Sequence, residues 1–287
     1  MKFPWDKYKE LPLSKRNTLQ VFITKACNLR CPGCFVRNVS EGEEGFMSFE
    51  EYVSALSQAI YKGVKQINIL GGEPFLHPKL QRMLALNSFL ALKTTIYTNG
   101  LGLKTKMDLH GAKLRVSIYG FKGLKGVLSL PDHSKVKHSF DANFMVGKET
   151  KLETLLSVAN ICEAVYRCKV FFISSIRELD NPNQEFFDDT NLTMPVLEYK
   201  KLVHQFLNEY EGDMEIHISK RGVFESTQSL PHNKCKFANY FIGGKIIQCP
   251  YDVINLKYRK DYKFDSRYCQ QNNTCLMSKI ILKPKKK

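Results

Sequence analysis

Long hydrophobic runs are missing from this sequence. No stretch approaches the roughly 20 apolar residues of a membrane-spanning helix, and the opening residues, MKFPWDKYKELPLSKRN, hold no apolar run of signal-peptide length. The expectation is a cytoplasmic protein with no membrane partner. Repeats at solenoid or propeller periods are also lacking, as is low complexity outside the tail, which argues against repeat architectures and long disordered tracts. Acidic residues are in short supply, with 28 Asp and Glu against 43 Lys and Arg and a net charge of +15. That balance favours polyanionic partners, nucleic acid above all; a lysine-rich solvated surface is the plainer reading of the same number. The seven histidines are scattered, with no metal-ligand spacing. His232, three residues before Cys235, reads as a loop residue, with a spare metal ligand as the other reading.

Cysteine is what the sequence does have. There are nine, placed unevenly: Cys27, Cys31 and Cys34 fall close together, Cys235, Cys249, Cys269 and Cys275 lie near the end, and Cys162 and Cys168 lie between. In a reducing cytosol such a set points to metal or redox chemistry rather than disulfides. Cys162 sits on the apolar face of a helical pattern with Cys168 at its end, so both read as core packing.

The chain length of 287 residues suits one large α/β domain with a small appendage. Strands are expected at Leu19 to Thr24, Gln66 to Leu70, Lys93 to Tyr97, Lys113 to Ile118, Lys169 to Ser174 and Glu215 to Ser219, with a short one at Phe144 to Val146. Helices are expected from Ser48 to about Lys62, stopping at Gly63, then at Pro78 to Phe89, Lys151 to Arg167 and Pro195 to Tyr210. Ser48 and Glu51 have capping-box spacing. Tyr119 to Ser139, rich in Gly, Lys and His, reads as a loop insertion. Strands alternating with helices imply parallel βαβ units, and ligands in such folds gather at the carboxyl ends of the strands. The cysteine loop, Gly71-Gly72-Glu73-Pro74 and Thr98-Asn99-Gly100 each follow a strand, so all three are expected on one rim.

Cys27-x3-Cys31-x2-Cys34 is the sharpest signal. Thiolates are the usual ligands of iron–sulfur clusters, and a full site takes four. A loop offering three leaves one iron open to a small chelating molecule. Zinc also takes thiolates at short spacings, but no Cys-x2-Cys partner pair is present.

This cysteine loop after a first strand, with GGEP after a second, resembles the radical S-adenosylmethionine (SAM) superfamily over about Leu19 to Ser219. The resemblance implies a partial (β/α)6 barrel and a [4Fe–4S] cluster held by Cys27, Cys31 and Cys34. It implies reductive cleavage of SAM to methionine and a 5′-deoxyadenosyl radical that abstracts hydrogen from a substrate. It also implies an electron donor such as flavodoxin or ferredoxin. Gly71, Gly72, Glu73 and Pro74 match the motif that contacts the SAM amino group, Thr98 and Asn99 sit where members place polar contacts, and Ser117 resembles a ribose contact. Many members carry an aromatic residue just before the third cysteine; here Gly33 stands there, and Phe35 just after is the candidate beside the adenine. Cys31-Pro32-Gly33-Cys34-Phe35 also resembles the activases of glycyl-radical enzymes.

Cys235-x13-Cys249, with Gly244 giving Gly-x4-Cys at its end, resembles the opening of the auxiliary-cluster domains called SPASM and Twitch, and Tyr240 to Ile247 reads as a hairpin. With Cys269 and Cys275 as the remaining ligands, this resemblance implies a second [4Fe–4S] cluster of the smaller Twitch type; a structural zinc site or free thiols are the other readings of these four cysteines. The expected organisation is an N-terminal extension at 1–18, a radical SAM core at 19–220, an auxiliary domain at 221–282 and a basic tail at 283–287. The charge tilts the expected substrate toward a nucleotide or nucleic-acid base. The rivals are a peptide-modifying SPASM-type maturase, a glycyl-radical activase and, outside enzymes, a zinc-containing nucleic-acid-binding protein. No catalytic side chain and no oligomeric state is assigned.

Overall fold

The computed structural model describes residues 4, 6–11, 18–29, 31, 45–101, 107–119, 138–175, 194–219, 237–241 and 279–285. Among them, one ten-stranded sheet runs in the order β1-β10-β8-β7-β6-β5-β4-β3-β2-β9. The strands are β1 Tyr8–Glu10, β2 Thr18–Phe22, β3 Gln66–Leu70, β4 Lys93–Thr98, β5 Lys113–Tyr119, β6 Phe140–Val146, β7 Val170–Ser175, β8 Glu215–Ser219, β9 Phe237–Phe241 and β10 Lys279–Pro284. The helices are α1 Phe49–Tyr61, α2 Leu80–Phe89, α3 Leu152–Ala164 and α4 Val196–Glu209. From β2 to β8 neighbouring strands are parallel and follow chain order. Right-handed crossovers between successive parallel neighbours put every crossover helix on the same face. Among the described residues the sheet therefore keeps one face covered by helices and the other clear of them, a mostly parallel α/β arrangement.

Burial follows that asymmetry. On β5 to β7 buried residues alternate with half-buried ones, and the buried set includes Leu114, Val116, Ile118, Ala142, Phe144, Phe171 and Ile173. Phe171 stacks on Phe206 of α4 at 6.1 Å between centroids, and Phe206 on Tyr210 at 5.2 Å. Each such buried ring contributes about 1.5–3 kcal/mol. On α4, Tyr199, Leu202, Val203, Phe206 and Leu207 are buried, the spacing of one helical stripe. Helix α1 starts where the Ser48 hydroxyl accepts from the Glu51 amide at 3.0 Å, and the chain leaves it through Gly63 at φ 78°.

Most expected elements are present within a residue or two. Four differ. The strand expected at 144–146 begins at Phe140 and pairs with β5 along its length. The helix expected from Pro78 begins at Leu80, after a 3-10 turn over Pro74–Leu76. Lys283 and Pro284, expected in a solvated basic tail, belong to β10 and pair with Lys9 and Tyr8. The expected N-terminal extension supplies β1, with Tyr8 1% exposed. The loop insertion at 120–137 and most of the C-terminal segment lie outside the described residues; the parts of that segment that are described, β9 and β10, are strands of the main sheet. In the expected hairpin, Tyr240 and Phe241 pair in parallel with Val21 and Phe22, and its second arm lies outside the described residues. Because β9 is parallel to β2 and β10 antiparallel to β8, β9 ends and β10 begins at the same rim as the carboxyl ends of β2 to β8. No helix among the described residues is long and apolar enough to cross a membrane.

Candidate active site at the strand-end rim

Beyond β2 the chain enters the cysteine loop. The loop is closed at its base: Thr24 bridges Phe46, Lys25 donates to the Gly45 carbonyl at 3.0 Å, and Met47 donates to the Ile23 carbonyl at 2.8 Å. The Thr24 hydroxyl accepts from the Ala26 amide at 3.0 Å and donates to the Gly45 carbonyl at 3.2 Å. On this loop Cys27 is exposed and Cys31 is 8% exposed. The Leu29 amide donates to Cys27 Sγ at 3.4 Å. Hydrogen bonds to cysteine sulfurs are a recurring support for cluster ligands. The donor set, soft thiols on a short loop at the end of a strand, fits an iron–sulfur cluster. Cys34 and Phe35 lie outside the described residues, as do Cys235, Cys249, Cys269 and Cys275.

The GGEP segment is knitted to this loop through its backbone. Gly72 donates to the Thr24 carbonyl and Glu73 to the Ala26 carbonyl, each at 2.8 Å. The approach leaves no room for side chains: a Cβ on Gly72 would lie 2.2 Å from the Ala26 oxygen, and one on Gly71 2.6 Å from the Thr24 oxygen. That is the physical reason for two glycines here. Pro74 opens the 3-10 turn, where a missing N–H costs nothing.

Glu73 is fully buried. One carboxylate oxygen accepts from the Phe75 amide at 3.1 Å and from the Thr98 hydroxyl at 2.8 Å; the other accepts from the Asn99 amide at 2.8 Å. Burial pushes its pKa above the usual carboxylate range, and the three donors, from Asn99, Phe75 and Thr98, pull it back. The Asn99 side chain then donates to the Asn28 amide oxygen at 2.7 Å, inside the cysteine loop. Cysteine loop, GGEP and TNG, separated in sequence, are thus one hydrogen-bonded unit. Glu73, Thr98 and Asn99 come together as expected, and Glu73 acts through its carboxylate as the clamp between β3 and β4.

Two residues of this unit escaped the sequence reading. Asn28 carried no signal beyond its place between two cysteines. His77 is buried, with Nε2 donating to the Met47 carbonyl at 3.0 Å and Nδ1 accepting from the Lys79 amide at 3.1 Å. These partners fix a neutral tautomer, and burial holds its pKa low. His77 ties the GGEP turn to the returning arm of the cysteine loop.

Ser117 stands apart from this unit. It lies half-buried on β5, in register with Asn143 of β6 and two residues from Arg115. Around it the helix-free face is polar. Arg115 lies 3.6 Å from the Asp141 carboxylate and donates to the Tyr97 hydroxyl at 3.4 Å. The Ser174 hydroxyl donates to the Asn143 amide oxygen at 3.0 Å. The signal for these residues was present in the alternation Arg115, Ser117 and Glu215, His217, polar groups two apart on strands otherwise apolar. Cys162 and Cys168 are buried in the core, as expected.

Residues 21–115 match the model of the Radical SAM superfamily. A GTP 3′,8-cyclase from Helicobacter pylori (strain J99) is 25% identical over 302 residues, covering 93% of this chain and 90% of that protein. An S-adenosylmethionine-dependent nucleotide dehydratase from Thermoplasmatales archaeon (strain ISO4-H5) is 34% identical over 86 residues, 30% of each. Among solved structures, Streptococcus suis SuiB bound to its precursor peptide SuiA superposes with a TM-score of 0.65 at 16% identity, covering 88% of this chain; this chain spans 62% of SuiB. That likeness is one of fold. With its matched region containing Cys27, Cys31, Cys34 and GGEP, and with an enzyme relative along most of its length, this protein is an enzyme that carries a Radical SAM superfamily domain.

Proposed function

We propose that Cys27, Cys31 and Cys34 hold the [4Fe–4S] cluster that the family implies, and that the enzyme acts on a nucleotide. The observation that carries the cofactor half is the hydrogen-bonded unit of cysteine loop, Gly71 to Pro74, and Thr98-Asn99 at one rim. Gly71 and Gly72 bring the backbone close, Pro74 fixes the turn, and Glu73 holds that backbone against Asn99, so SAM would meet a rigid polar edge. Phe35 and Ser117 are assigned to its adenine and ribose. Bound there, the cluster and SAM would supply a 5′-deoxyadenosyl radical once an electron donor such as flavodoxin or ferredoxin delivers its electron. The chain's own work is to orient SAM, exclude water and present the substrate.

The nucleotide half rests on the relatives named for GTP and nucleotide chemistry, one of which aligns with 93% of the chain, together with the net charge of +15. Cys235, Cys249, Cys269 and Cys275 are proposed to hold a second [4Fe–4S] cluster in a Twitch-like unit at 221–282, and the protein is placed in the cytoplasm. The test is a survey of nucleoside triphosphates, RNA, DNA and short peptides for stimulation of SAM cleavage by reduced enzyme. Nucleotides are expected to stimulate it. Stimulation by peptides alone would overturn the nucleotide reading and leave the radical chemistry standing.

A further inference from the structure

The face of the sheet turned away from the helices carries charge where stability alone would favour apolar side chains. Arg115 of β5, Asp141 of β6, Glu215 and His217 of β8 and Lys279 of β10 gather there from distant parts of the sequence. Burying such groups costs free energy unless they are paired, and even paired groups rarely stabilise more than apolar ones of the same volume. These are paired, and the pairing is directional. His217, 5% exposed, donates from Nε2 to the Glu215 carboxylate and accepts at Nδ1 from the Lys279 ammonium at 2.6 Å. Burial, with the fields of Lys279 and Arg115, lowers the His217 pKa to about 4 against the pull of Glu215, so the ring is neutral at neutral pH and can accept. The His217 hydrogen bond, opposed by burial, holds Glu215 below its ordinary value. The result is an ammonium set by a neutral imidazole, which is in turn set by a carboxylate.

The surroundings of that ammonium point to a ligand. Lys279 opens β10 at the same rim as the cysteine loop, opposite Ser219, the last residue of β8. Its nitrogen is 5.7 Å from the centre of the Phe172 ring, which His217 meets edge-on at 6.2 Å. Phe172 is in register with Asn143 on one side and His217 on the other, so a half-buried aromatic ring lies between an amide and the lysine–histidine pair. Asn143 Nδ2 has the Met145 sulfur as its partner, at 3.8 Å. Across the same face the Arg115 Nε, buried, has no hydrogen-bond partner among the described residues. Cation, flat apolar ring and amide in a row are the groups that a phosphorylated aromatic ring compound pairs with.

We propose that this wall is the enzyme's substrate site, with Lys279 contacting a phosphate oxygen, His217 and Glu215 positioning its ammonium, and Phe172 offering its ring to the base. The proposal rests on the nucleotide reading above, and the experiment separates the two. Anaerobically reconstituted full-length enzyme is titrated with GTP, inorganic tripolyphosphate and guanosine. Lys279→Met should weaken GTP and tripolyphosphate at least tenfold while guanosine and SAM binding stay within twofold. His217→Leu should weaken both phosphates, and His217→Gln, which keeps an acceptor, should restore most of the loss. In wild type, tripolyphosphate should protect Lys279 from acetylation by acetic anhydride, read by mass spectrometry, which holds even if a variant fails to fold. Wild-type enzyme that binds GTP and tripolyphosphate, with Lys279→Met binding them equally well or Lys279 acetylated equally with and without tripolyphosphate, overturns the proposal and leaves the nucleotide reading intact. Wild-type enzyme that binds neither GTP nor tripolyphosphate overturns the proposal, and the nucleotide reading falls with it only where the other nucleoside triphosphates, RNA and DNA also fail to stimulate SAM cleavage.

Discussion

Glu73 shows how a motif residue can be legible as important and illegible in its role. Its place in GGEP marked it as a ligand contact, but its partners Thr98 and Asn99 are 25 and 26 residues away and only the fold brings them to its carboxylate. Removing that carboxylate leaves a buried hydroxyl and two amides without acceptors, at roughly 1–3 kcal/mol for each group left unsatisfied. Glu73→Ala should therefore lower the urea midpoint and weaken SAM binding, with iron content close to wild type because no cluster ligand is touched. Unchanged SAM affinity in a folded Glu73→Ala enzyme would remove Glu73 from the site. Gly72→Ala makes a sharper case. Its Cβ would meet backbone at 2.2 Å, an atom that cannot swing aside. The loops must part, at a cost of about 1–3 kcal/mol by the scale of overpacked sites. SAM affinity should fall by more than tenfold in a calorimetric titration. A neutral Gly72→Ala would mean that the close approach of GGEP to the cysteine loop is dispensable.

Among elements, the strands flanked by clear turn residues were read almost to the residue, and Gln66–Leu70 and Glu215–Ser219 match in full. The failures share a cause. Strand β6 reads FDANFMV, whose Asp, Ala and Asn are poor strand formers, and its first half is held by register with β5 and β7 rather than by propensity. Strand β10 was hidden by the basic residues that follow it, although its interior Ile280 and Leu282 are fully buried against β8 and β1. Leu282→Ala should cost about 2–5 kcal/mol by the scale of core truncations, seen as a loss in urea-unfolding free energy. A solvated tail would lose nothing, so an unchanged midpoint would take β10 out of the sheet.

At the scale of the whole molecule, sequential parallel pairing leaves one sheet face clear of helices among the described residues and carries the motifs to its rim, and the shared rim was implicit in the strand–helix alternation. The charged wall was not, because its members come from β5, β6, β8 and β10 and no local pattern unites them. The wall also gives acid sensitivity a direction. A histidine lowered from 6.5 to about 4 contributes stability that is present above pH 6.5 and lost as pH falls toward 4. Glu215, also lowered, adds to that loss at the acid end, while Glu73 and Asp141, both raised by burial, work the opposite way and gain as pH falls. The comparison that isolates His217 is wild type against His217→Gln: melting temperature should drop more between pH 6.5 and 4 in wild type than in the variant. Parallel curves would deny the histidine its buried, neutral state. The central claim, that three thiols of one loop run SAM chemistry, has a direct test. Anaerobic protein reconstituted with iron and sulfide, reduced with dithionite and given SAM, is assayed for 5′-deoxyadenosine by chromatography and mass spectrometry. The wild type should form it, and the single variants Cys27→Ala, Cys31→Ala and Cys34→Ala should not. No 5′-deoxyadenosine from iron-loaded wild type, or equal amounts from Cys31→Ala, would contradict the account.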